Sequence, residues 1–193
     1  ALIEWLQREV VWLNTLVDRI VSGRPEAHPL LAEDALFTVA EPFALWVIEE
    51  KGGAAPLFAH PALQWVRDVR PFSLRKMRIL NGAHTALVCK ALPLGIETVR
   101  EAVLHPEIGS WLRALVIEDI VPTLEGQVEG SERFAEQVLE RFANPFLDHR
   151  LADIALHHDA KVKVRLMPTY EASVEMLGQR PGLLGELLSD YLS

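Results

Sequence analysis

The chain has 193 residues, of which half are apolar and a quarter are charged, and its formal net charge is −8. This composition is typical of one globular domain, or of one domain with part of another, and the acidic balance argues against nucleic acid as a partner. No apolar run is long enough to cross a bilayer, and there is no signal-peptide pattern. With Cys89 as the only cysteine, no internal disulfide can form, so we expect a cytoplasmic location. A chain that opens with Ala1 and runs directly into structure suggests a fragment or a processed chain.

The first third of the chain predicts one helix followed by short strands. Apolar residues at helical spacing predict a helix over residues 1–13, and a β-branched run predicts a strand over 14–21. Because Pro42 interrupts an apolar stretch, we expect one short strand over 36–40 and a second short element over 43–49. Residues 54–60 are expected to form a loop, and Pro61 to start a helical turn that reaches residue 66.

The rest of the chain has a mainly helical pattern. Apolar spacing and turn residues predict helices over 73–92, with Ser73 as N-cap, and over 98–104, 108–120, 131–143, 147–158, 170–177 and 183–192. The alternation of polar and apolar residues over 161–166 predicts a strand. The predicted fold class is therefore mainly α, with a few short strands near the N-terminus.

The predicted helix over 73–92 places three polar residues on its apolar face. Successive residues are rotated by roughly 100° around the helix axis. If Lys76 is placed at 0°, His84 falls at about 80° and Asn81 at about 140°. Met77 lies in the same sector, whereas Thr85 lies on the opposite side. A buried lysine tends to lose its proton, so these three residues form a candidate acid/base site. Alternatively, the lysine reaches solvent from the edge of the apolar face, and the histidine is a core residue whose nitrogens are hydrogen-bonded.

The search for other functional motifs is mostly negative. The chain contains no GxGxxG, GxxxxGK[ST], HExxH or CxxC pattern, so it lacks a complete nucleotide cradle and the common zinc motifs. His157-His158-Asp159 is the only cluster of possible metal ligands. Because adjacent residues point in different directions, we interpret it as a solvated helix end and predict no metal site. Cys89 is interpreted as a small buried apolar residue without a catalytic partner.

Four segments resemble a known family. Lys76, Asn81 and His84, within KMRILNGAHTAL, resemble the catalytic signature of the polyol-specific long-chain dehydrogenases, which include mannitol dehydrogenases and uronate reductases. NTLVDRIV at 14–21 is similar to a second family segment, EPF at 41–43 with WVIE at 46–49 to a third, and RFANP at 141–145 to a fourth. The four segments occur in the family's order and span most of the chain.

The resemblance implies an NAD-dependent secondary-alcohol dehydrogenase, or ketone reductase in the opposite direction. Lys76 would exchange the proton on the reacting oxygen, while Asn81 and Asn14 would donate hydrogen bonds to the developing alkoxide. His84 would orient the substrate or support Lys76. The implied partner is a small sugar acid or polyol, with no metal and no membrane; the oligomeric state is left open.

The resemblance also implies that this chain is one part of a two-domain enzyme. The family has an N-terminal Rossmann domain with a glycine-rich turn, and this chain lacks that turn. We therefore expect residues 1–40 to be the last elements of a dinucleotide-binding domain and residues 41–193 to be a helical substrate and catalytic domain. NAD would be held mainly by residues that this chain lacks, so its cofactor-binding residues are not assigned and the chain alone is expected to be inactive.

Within the family, the segments NGAHT, EPF, NPFLDH and RLMP resemble the tagaturonate reductases, also called altronate oxidoreductases. The implied reaction interconverts a keto-uronate and an aldonate. The substrate's carboxylate would then be bound by cationic or imidazole side chains. The candidates are His149, Lys161, Lys163 and Arg165. Each could instead be an ordinary exposed side chain.

The substrate assignment has alternatives. Within the enzyme class they are fructuronate reductase and mannitol 2-dehydrogenase. Outside it, the same fold could serve as a helical binding domain without catalysis, or as an oligomerisation domain. The chain departs from the family pattern at His157-His158-Asp159, where small polar residues are expected before Lys161, and this departure bears on the substrate rather than on the family.

Overall fold

The computed structural model describes residues 1–54 and 58–192. Among the described residues, the strands lie between residues 15 and 66 and most helices follow them, which confirms the predicted mainly α class. The strands are β1 (Thr15–Asp18), β2 (Val21–Gly23), β3 (Val39–Ala40), β4 (Leu45–Glu49) and β5 (Leu63–Val66). The helices are α1 (Leu2–Glu9), α2 (Arg70–Arg75), α3 (Gly82–Ala91), α4 (Val99–Leu104), α5 (Pro106–Ala114), α6 (Ser131–Phe142), α7 (Leu151–Ile154), α8 (His158–Arg165), α9 (Met167–Leu177) and α10 (Gly182–Leu192).

A three-stranded sheet has β4 at its centre. β1 pairs with β4 in antiparallel orientation and β5 pairs with it in parallel orientation, while β2 and β3 form a separate antiparallel pair. The prediction of a helical turn over 61–66 is wrong, because β4 supplies hydrogen-bond partners that favour a strand there. The Trp46 amide donates to the Ala62 carbonyl at 2.7 Å, and the Glu50 amide donates to the Val66 carbonyl at 2.8 Å.

Residues 70–91 form one continuous helical stretch that is central to the helical part. It consists of α2, a π-helical segment (Lys76–Asn81) and α3. α3 packs against α5, α7, α8 and α10, and residues 82–88 are all buried. A helix that is buried all round has to be surrounded by others. The expected start at Ser73 is wrong: the helix begins at Arg70, with Pro71 in its first turn.

The prediction of a strand over 161–166 is also wrong, since these residues belong to α8 and the turn after it. The sequence KVKVRL alternates, but it also places Val162 and Leu166 four residues apart, and both are buried. Packing of this helical stripe against the core prevails over the strand-like alternation. The predicted helix over 147–158 shortens to α7, and the helix over 1–13 shortens to α1.

The expected loop over 54–60 falls partly on residues 55–57, which lie outside the described residues. Within the described ranges, no helix is both long enough and apolar enough to cross a membrane.

Candidate active site

The π-helical segment lies at the predicted catalytic motif. It begins at Lys76 and ends at Asn81, and such segments inside α-helices are frequent at functional sites. The exposures expected for a regular α-helix are wrong at two positions. Met77, expected in the buried sector, is 39% exposed, and Thr85, expected opposite, is fully buried.

The side chain of Lys76 reaches back to the first strand. Its Nζ donates a hydrogen bond to the Val17 carbonyl at 2.6 Å. Val17 belongs to β1 and precedes Asp18, so the hydrogen bond joins the VDRI segment to the central helix. The half-buried amine is therefore held at a defined position between the sheet and the helices.

Asn81 lies at the other end of the π-helical segment and is half-buried. Its Nδ2 lies 3.7 Å from the Met77 sulfur, which is a weak acceptor, and its carbonyl accepts a 2.9 Å hydrogen bond from the Thr85 hydroxyl. The backbone of Asn81 is thus fixed, while its amide group retains the capacity to donate to a ligand.

His84 is a buried imidazole between two other rings. It stacks on Phe142 with centroids 4.1 Å apart, and it meets the edge of His149 at 4.9 Å. Burial lowers the pKa of His84 well below its usual range, and the nearby charge of His149 acts in the same direction. His84 is therefore a neutral ring at physiological pH, able to donate from one nitrogen and accept at the other.

Two buried nitrogen atoms in this pair of rings lack a partner. Within the described part of the chain, neither Nε2 of His84 nor Nδ1 of His149 has a hydrogen-bond partner. Burial also lowers the pKa of His149. Since buried polar atoms are normally satisfied, these nitrogens indicate a place where a ligand hydroxyl or a water molecule completes the site.

Lys161 and Arg165 approach the same place from α8. They are four residues apart on a helix and so share a face. Lys161 Nζ donates to the Ile154 carbonyl at 2.7 Å, and Arg165 Nη1 donates to Thr85 Oγ1 at 3.4 Å. Burial lowers the pKa of both groups, and the charges of both act on the pKa of His84.

Lys163 does not join this group. It is exposed, and two residues from Lys161 on a helix it points to a different side. The family resemblance implies that Lys161, Lys163 and Arg165 are candidates for binding a substrate carboxylate, on a segment predicted to be a strand. In the helix that forms instead, only Lys161 and Arg165 converge.

Asn14 lies directly before β1 and bonds to Glu49 rather than to the residues of the central helix. Its Nδ2 donates to Glu49 Oε1 at 3.1 Å. The second carboxylate oxygen of Glu49 accepts from the Val69 amide at 3.2 Å. Because Val69 immediately precedes α2, Glu49 connects Asn14 to the start of the central helix. The structure thus relates Asn14 to Lys76 only through intervening residues.

A buried ion cluster near this site escaped prediction. Arg141 pairs with Asp18 at 2.9 Å and with Glu41 at 2.7 Å, and all three side chains are at most 9% exposed. Glu41 also accepts from the Ile20 amide at 2.6 Å. Burial lowers the pKa of Arg141, but the hydrogen bonds to both carboxylates outweigh it, and the net direction is upward.

The ion cluster joins three of the four segments that carry the family resemblance. Asp18 lies in VDRI, Glu41 in EPF and Arg141 in RFANP. The signal available in the sequence was a charged residue within each largely apolar segment, since a buried charge requires a partner. Sequence separation hid the pairing, because Arg141 lies 123 residues from Asp18 and 100 residues from Glu41.

Two cavities border the candidate catalytic residues, although neither is lined by Lys76, Asn81 or His84. One, of about 580 Å³, lies along α2 and includes Met77, whose sulfur contacts Asn81. The other, of about 230 Å³, includes Val17, whose carbonyl accepts from Lys76. The hydrogen bonds and the unpartnered nitrogens define the candidate site better than these cavities do, because they involve the candidate residues themselves. Among the described residues, no group of three or more His, Cys, Asp or Glu could hold a metal ion.

Curated relatives share the sequence over nearly the whole chain. The altronate oxidoreductase of Bacillus subtilis (strain 168) is 41% identical over 188 residues, which cover 92% of this chain and 39% of the relative. The altronate oxidoreductase of Klebsiella pneumoniae (strain 342) is 39% identical over 194 residues, covering 94% of this chain and 40% of the relative. The chain therefore spans about two fifths of the length of the relatives it matches, and the expected similarity to altronate oxidoreductases is confirmed.

Solved structures share the fold. The Pseudomonas fluorescens mannitol 2-dehydrogenase in ternary complex with NAD and D-mannitol matches with a TM-score of 0.80 and 26% identity, over 96% of this chain and 39% of that one. A substrate-free D-sorbitol dehydrogenase matches with a TM-score of 0.75 and 28% identity, over 90% of this chain and 38% of that one.

Two family models match consecutive parts of the sequence. The Mannitol dehydrogenase Rossmann domain matches residues 1–59, and the Mannitol dehydrogenase C-terminal domain matches residues 68–186. The second match covers more than half of the 193 residues. The chain belongs to the mannitol dehydrogenase family.

Proposed function

We propose that this chain is the substrate-binding and catalytic part of an NAD-dependent oxidoreductase that interconverts a keto-uronate and an aldonate, with tagaturonate and altronate as the pair. The observation that carries the proposal is the convergence of Lys161 and Arg165 on His84. Within residues 1–54 and 58–192, neither cation pairs with a carboxylate. A substrate carboxylate would supply the missing negative charge. The altronate oxidoreductase relatives support the same choice.

The chemistry follows from the groups at the π-helical segment. Lys76 exchanges a proton with the reacting oxygen: its ammonium form donates during ketone reduction, and its amine form accepts during alcohol oxidation. The Val17 carbonyl holds Nζ in place in both directions. Asn81 donates to the oxygen as negative charge develops on it. The neutral ring of His84 binds a substrate hydroxyl through the Nε2 that lacks a protein partner.

The residues of this chain suit the reacting end of the cofactor rather than its phosphates. The sequence has no glycine-rich cradle for a pyrophosphate, whereas a lysine and an amide donor are what an alcohol or ketone carbon requires. When bound, NAD supplies or accepts the hydride. We propose that its phosphates are held by residues outside this chain, as expected for a family with a separate Rossmann domain.

We propose that residues 1–40 are the end of a cofactor domain and that residues 41–193 carry the substrate site. The boundary predicted from the sequence lies at residue 40. The sheet spans that boundary, because β4 pairs with β1 on one side and with β5 on the other.

The test is a chimera in which this chain replaces the aligned 188 residues of the Bacillus subtilis altronate oxidoreductase. NADH oxidation is measured with tagaturonate, fructuronate and fructose, and Lys76→Met serves as the inactive control. We expect the highest kcat/KM with tagaturonate. Preference for fructose would establish the mannitol 2-dehydrogenase alternative, and preference for fructuronate the uronate isomer.

The isolated chain is assayed in parallel and is expected not to turn over. Robust NADH oxidation by the isolated chain would contradict the proposed location of the phosphate-binding residues. A chimera that folds and remains inactive with every substrate would favour a binding or assembly role.

A further inference from the structure

One face of α8 carries three functional side chains. His158, Lys161 and Arg165 stand at positions i, i+3 and i+7, and these spacings bring side chains to one side of a helix. This face meets α3 at two points. Arg165 donates to Thr85 at 3.4 Å, and His158 Nε2 lies 3.2 Å from Cys89 Sγ. The two contacted residues of α3, Thr85 and Cys89, are also four residues apart, so one side of α8 packs along one side of α3.

The contact between Cys89 and His158 joins two uncharged groups. Burial raises the pKa of the Cys89 thiol to about 11, so the thiol keeps its proton at physiological pH. Burial lowers the pKa of His158, so its ring is neutral there. With both groups neutral, the hydrogen bond runs either from the thiol to Nε2 or from Nε2–H to Sγ, according to the tautomer of the ring. Nδ1 is buried and has no hydrogen-bond partner within the described residues.

The backbone at the entrance to α8 is constrained. His157 has φ of 56°, and among the described residues it is the one non-glycine with positive φ. This conformation is unfavourable for a residue with a side chain and persists only where the surroundings impose it. His158 supplies such an anchor: besides its contact with Cys89, its ring meets the edge of Tyr191 at 5.4 Å. Tyr191 in turn donates a hydrogen bond to Asp159.

We propose that His158 is a positioning residue for the carboxylate site: its contact with the Cys89 thiol fixes the first turn of α8 against α3 and so places Lys161 and Arg165 beside His84. This inference rests on the proposed function, because it explains how the chain holds its anion-binding cations. It gives a role to the segment where the sequence departs from the family pattern. His157 and Asp159 are exposed as expected of a helix end, whereas His158 is half-buried and held.

The first test uses the 193-residue chain. A ¹H–¹⁵N correlation spectrum of the histidine rings is expected to show one dominant tautomer for His158, and Cys89→Ala is expected to abolish that preference. In the same variant, ¹⁵N relaxation is expected to show increased motion of the Arg165 Nε–H group. A tautomer ratio for His158 that is the same in the unsubstituted chain and in Cys89→Ala, or an Arg165 signal unchanged in Cys89→Ala, would overturn the proposal. This result does not depend on activity.

The second test uses the chimera and separates positioning from general stability. Cys89→Ala and His158→Phe are expected to raise KM for tagaturonate about tenfold, with kcat and KM for NADH within about twofold. Cys89→Ser retains a donor and is expected to restore most of the affinity. His157→Asn is the matched control, because asparagine tolerates positive φ, and its KM is expected to stay unchanged. An equal rise in KM for fructose would overturn a specific effect on the carboxylate site.

Failure of the proposed function is distinguishable from failure of this inference. If the chimera prefers a neutral ketose while the tautomer and relaxation results hold, the substrate assignment fails and the anchoring of α8 stands. If tagaturonate is preferred and Cys89→Ala changes neither spectra nor KM, the substrate assignment stands and the positioning role of His158 is refuted.

Discussion

Lys76 Nζ and the Val17 carbonyl oxygen lie 2.6 Å apart, although 59 residues separate them in the chain. The hydrogen bond connects the π-helical segment to β1. It places the candidate acid/base on the side of the central helix that faces the sheet, next to the segment matched by the Rossmann family model.

We first predict that Lys76→Met in the chimera lowers kcat by about 10²–10⁴-fold, the range usual for loss of a general acid or base. Methionine keeps the length of the side chain and removes the proton. Steady-state NADH oxidation with tagaturonate measures the effect. Lys90→Met serves as the control, since Lys90 is exposed on the same helical stretch. A similar loss in both variants would argue against a specific role for Lys76.

A second prediction concerns the ion cluster. Arg141→Met leaves Asp18 and Glu41, each about 1% exposed, as buried carboxylates without their cation. Breaking such a cluster costs about 3–5 kcal/mol in free energy of unfolding. Urea unfolding of the 193-residue chain measures it. Arg113→Met is the matched control, because the Arg113–Glu136 pair is solvent-exposed and its loss is expected to change the midpoint little. Equal shifts would mean that the cluster contributes no more than a surface pair.

The third prediction is a pH dependence. Because the pKa of His84 is lower in the folded chain than in the unfolded chain, the unfolded state takes up the proton first as the pH falls. The contribution of His84 to stability is therefore complete above its unfolded pKa, near pH 6.5, and declines below it.

As the pH falls from 7.5 to 5.5, the free energy of unfolding is expected to decrease less in His84→Phe than in the unsubstituted chain. The difference is at most about 1.4 kcal/mol per pH unit. Urea denaturation at a series of pH values provides the measurement. His28→Asn, at an exposed position near the chain surface, is the control. If the free energy of unfolding falls with pH equally steeply in the unsubstituted chain and in His84→Phe, the folded chain protonates His84 without losing stability.

A fourth prediction addresses substrate charge. Lys161→Met and Arg165→Met in the chimera are each expected to lower kcat/KM for tagaturonate about tenfold or more, because each removes a charge-assisted hydrogen bond. Activity with fructose, which has no carboxylate, is expected to change far less. Lys163→Met is the control, as Lys163 lies on another face of the same helix. Parallel losses with both substrates would show that these cations support the fold rather than the carboxylate.

Local sequence patterns predicted much of the architecture. The helices around α3, α4 and α6 and the short strands β1 and β4 follow from apolar spacing and turn residues. The grouping of Lys76, Asn81 and His84 followed from helical geometry, but the π-helical segment did not, since nothing in KMRILN distinguishes a π-turn from an α-turn. The burial of Thr85 was not predicted either, because it results from the helices that surround α3 on all sides.

The remaining errors arose where tertiary contacts decide the outcome. The alternation in KVKVRL suited a strand, and only the buried positions of Val162 and Leu166 in the core favoured a helix. Arg141 gave no local signal of its partners. Sequence similarity to a family nevertheless identified Lys161 and Arg165 as candidates, and the helix brings these two together more effectively than the predicted strand would have done.

The ion cluster of Asp18, Glu41 and Arg141 also bears on how this polypeptide can be divided. A polypeptide beginning at residue 41, the boundary expected from the sequence, would retain Arg141 and Glu41 and lose Asp18. It would also lose the Val17 carbonyl that holds Lys76. Expression of the helices alone is therefore expected to yield a weakened fold with a displaced lysine, and a useful truncation has to keep β1. Thus β1, which lies in the segment matched by the Rossmann domain model, holds Lys76, which lies in the segment matched by the C-terminal domain model.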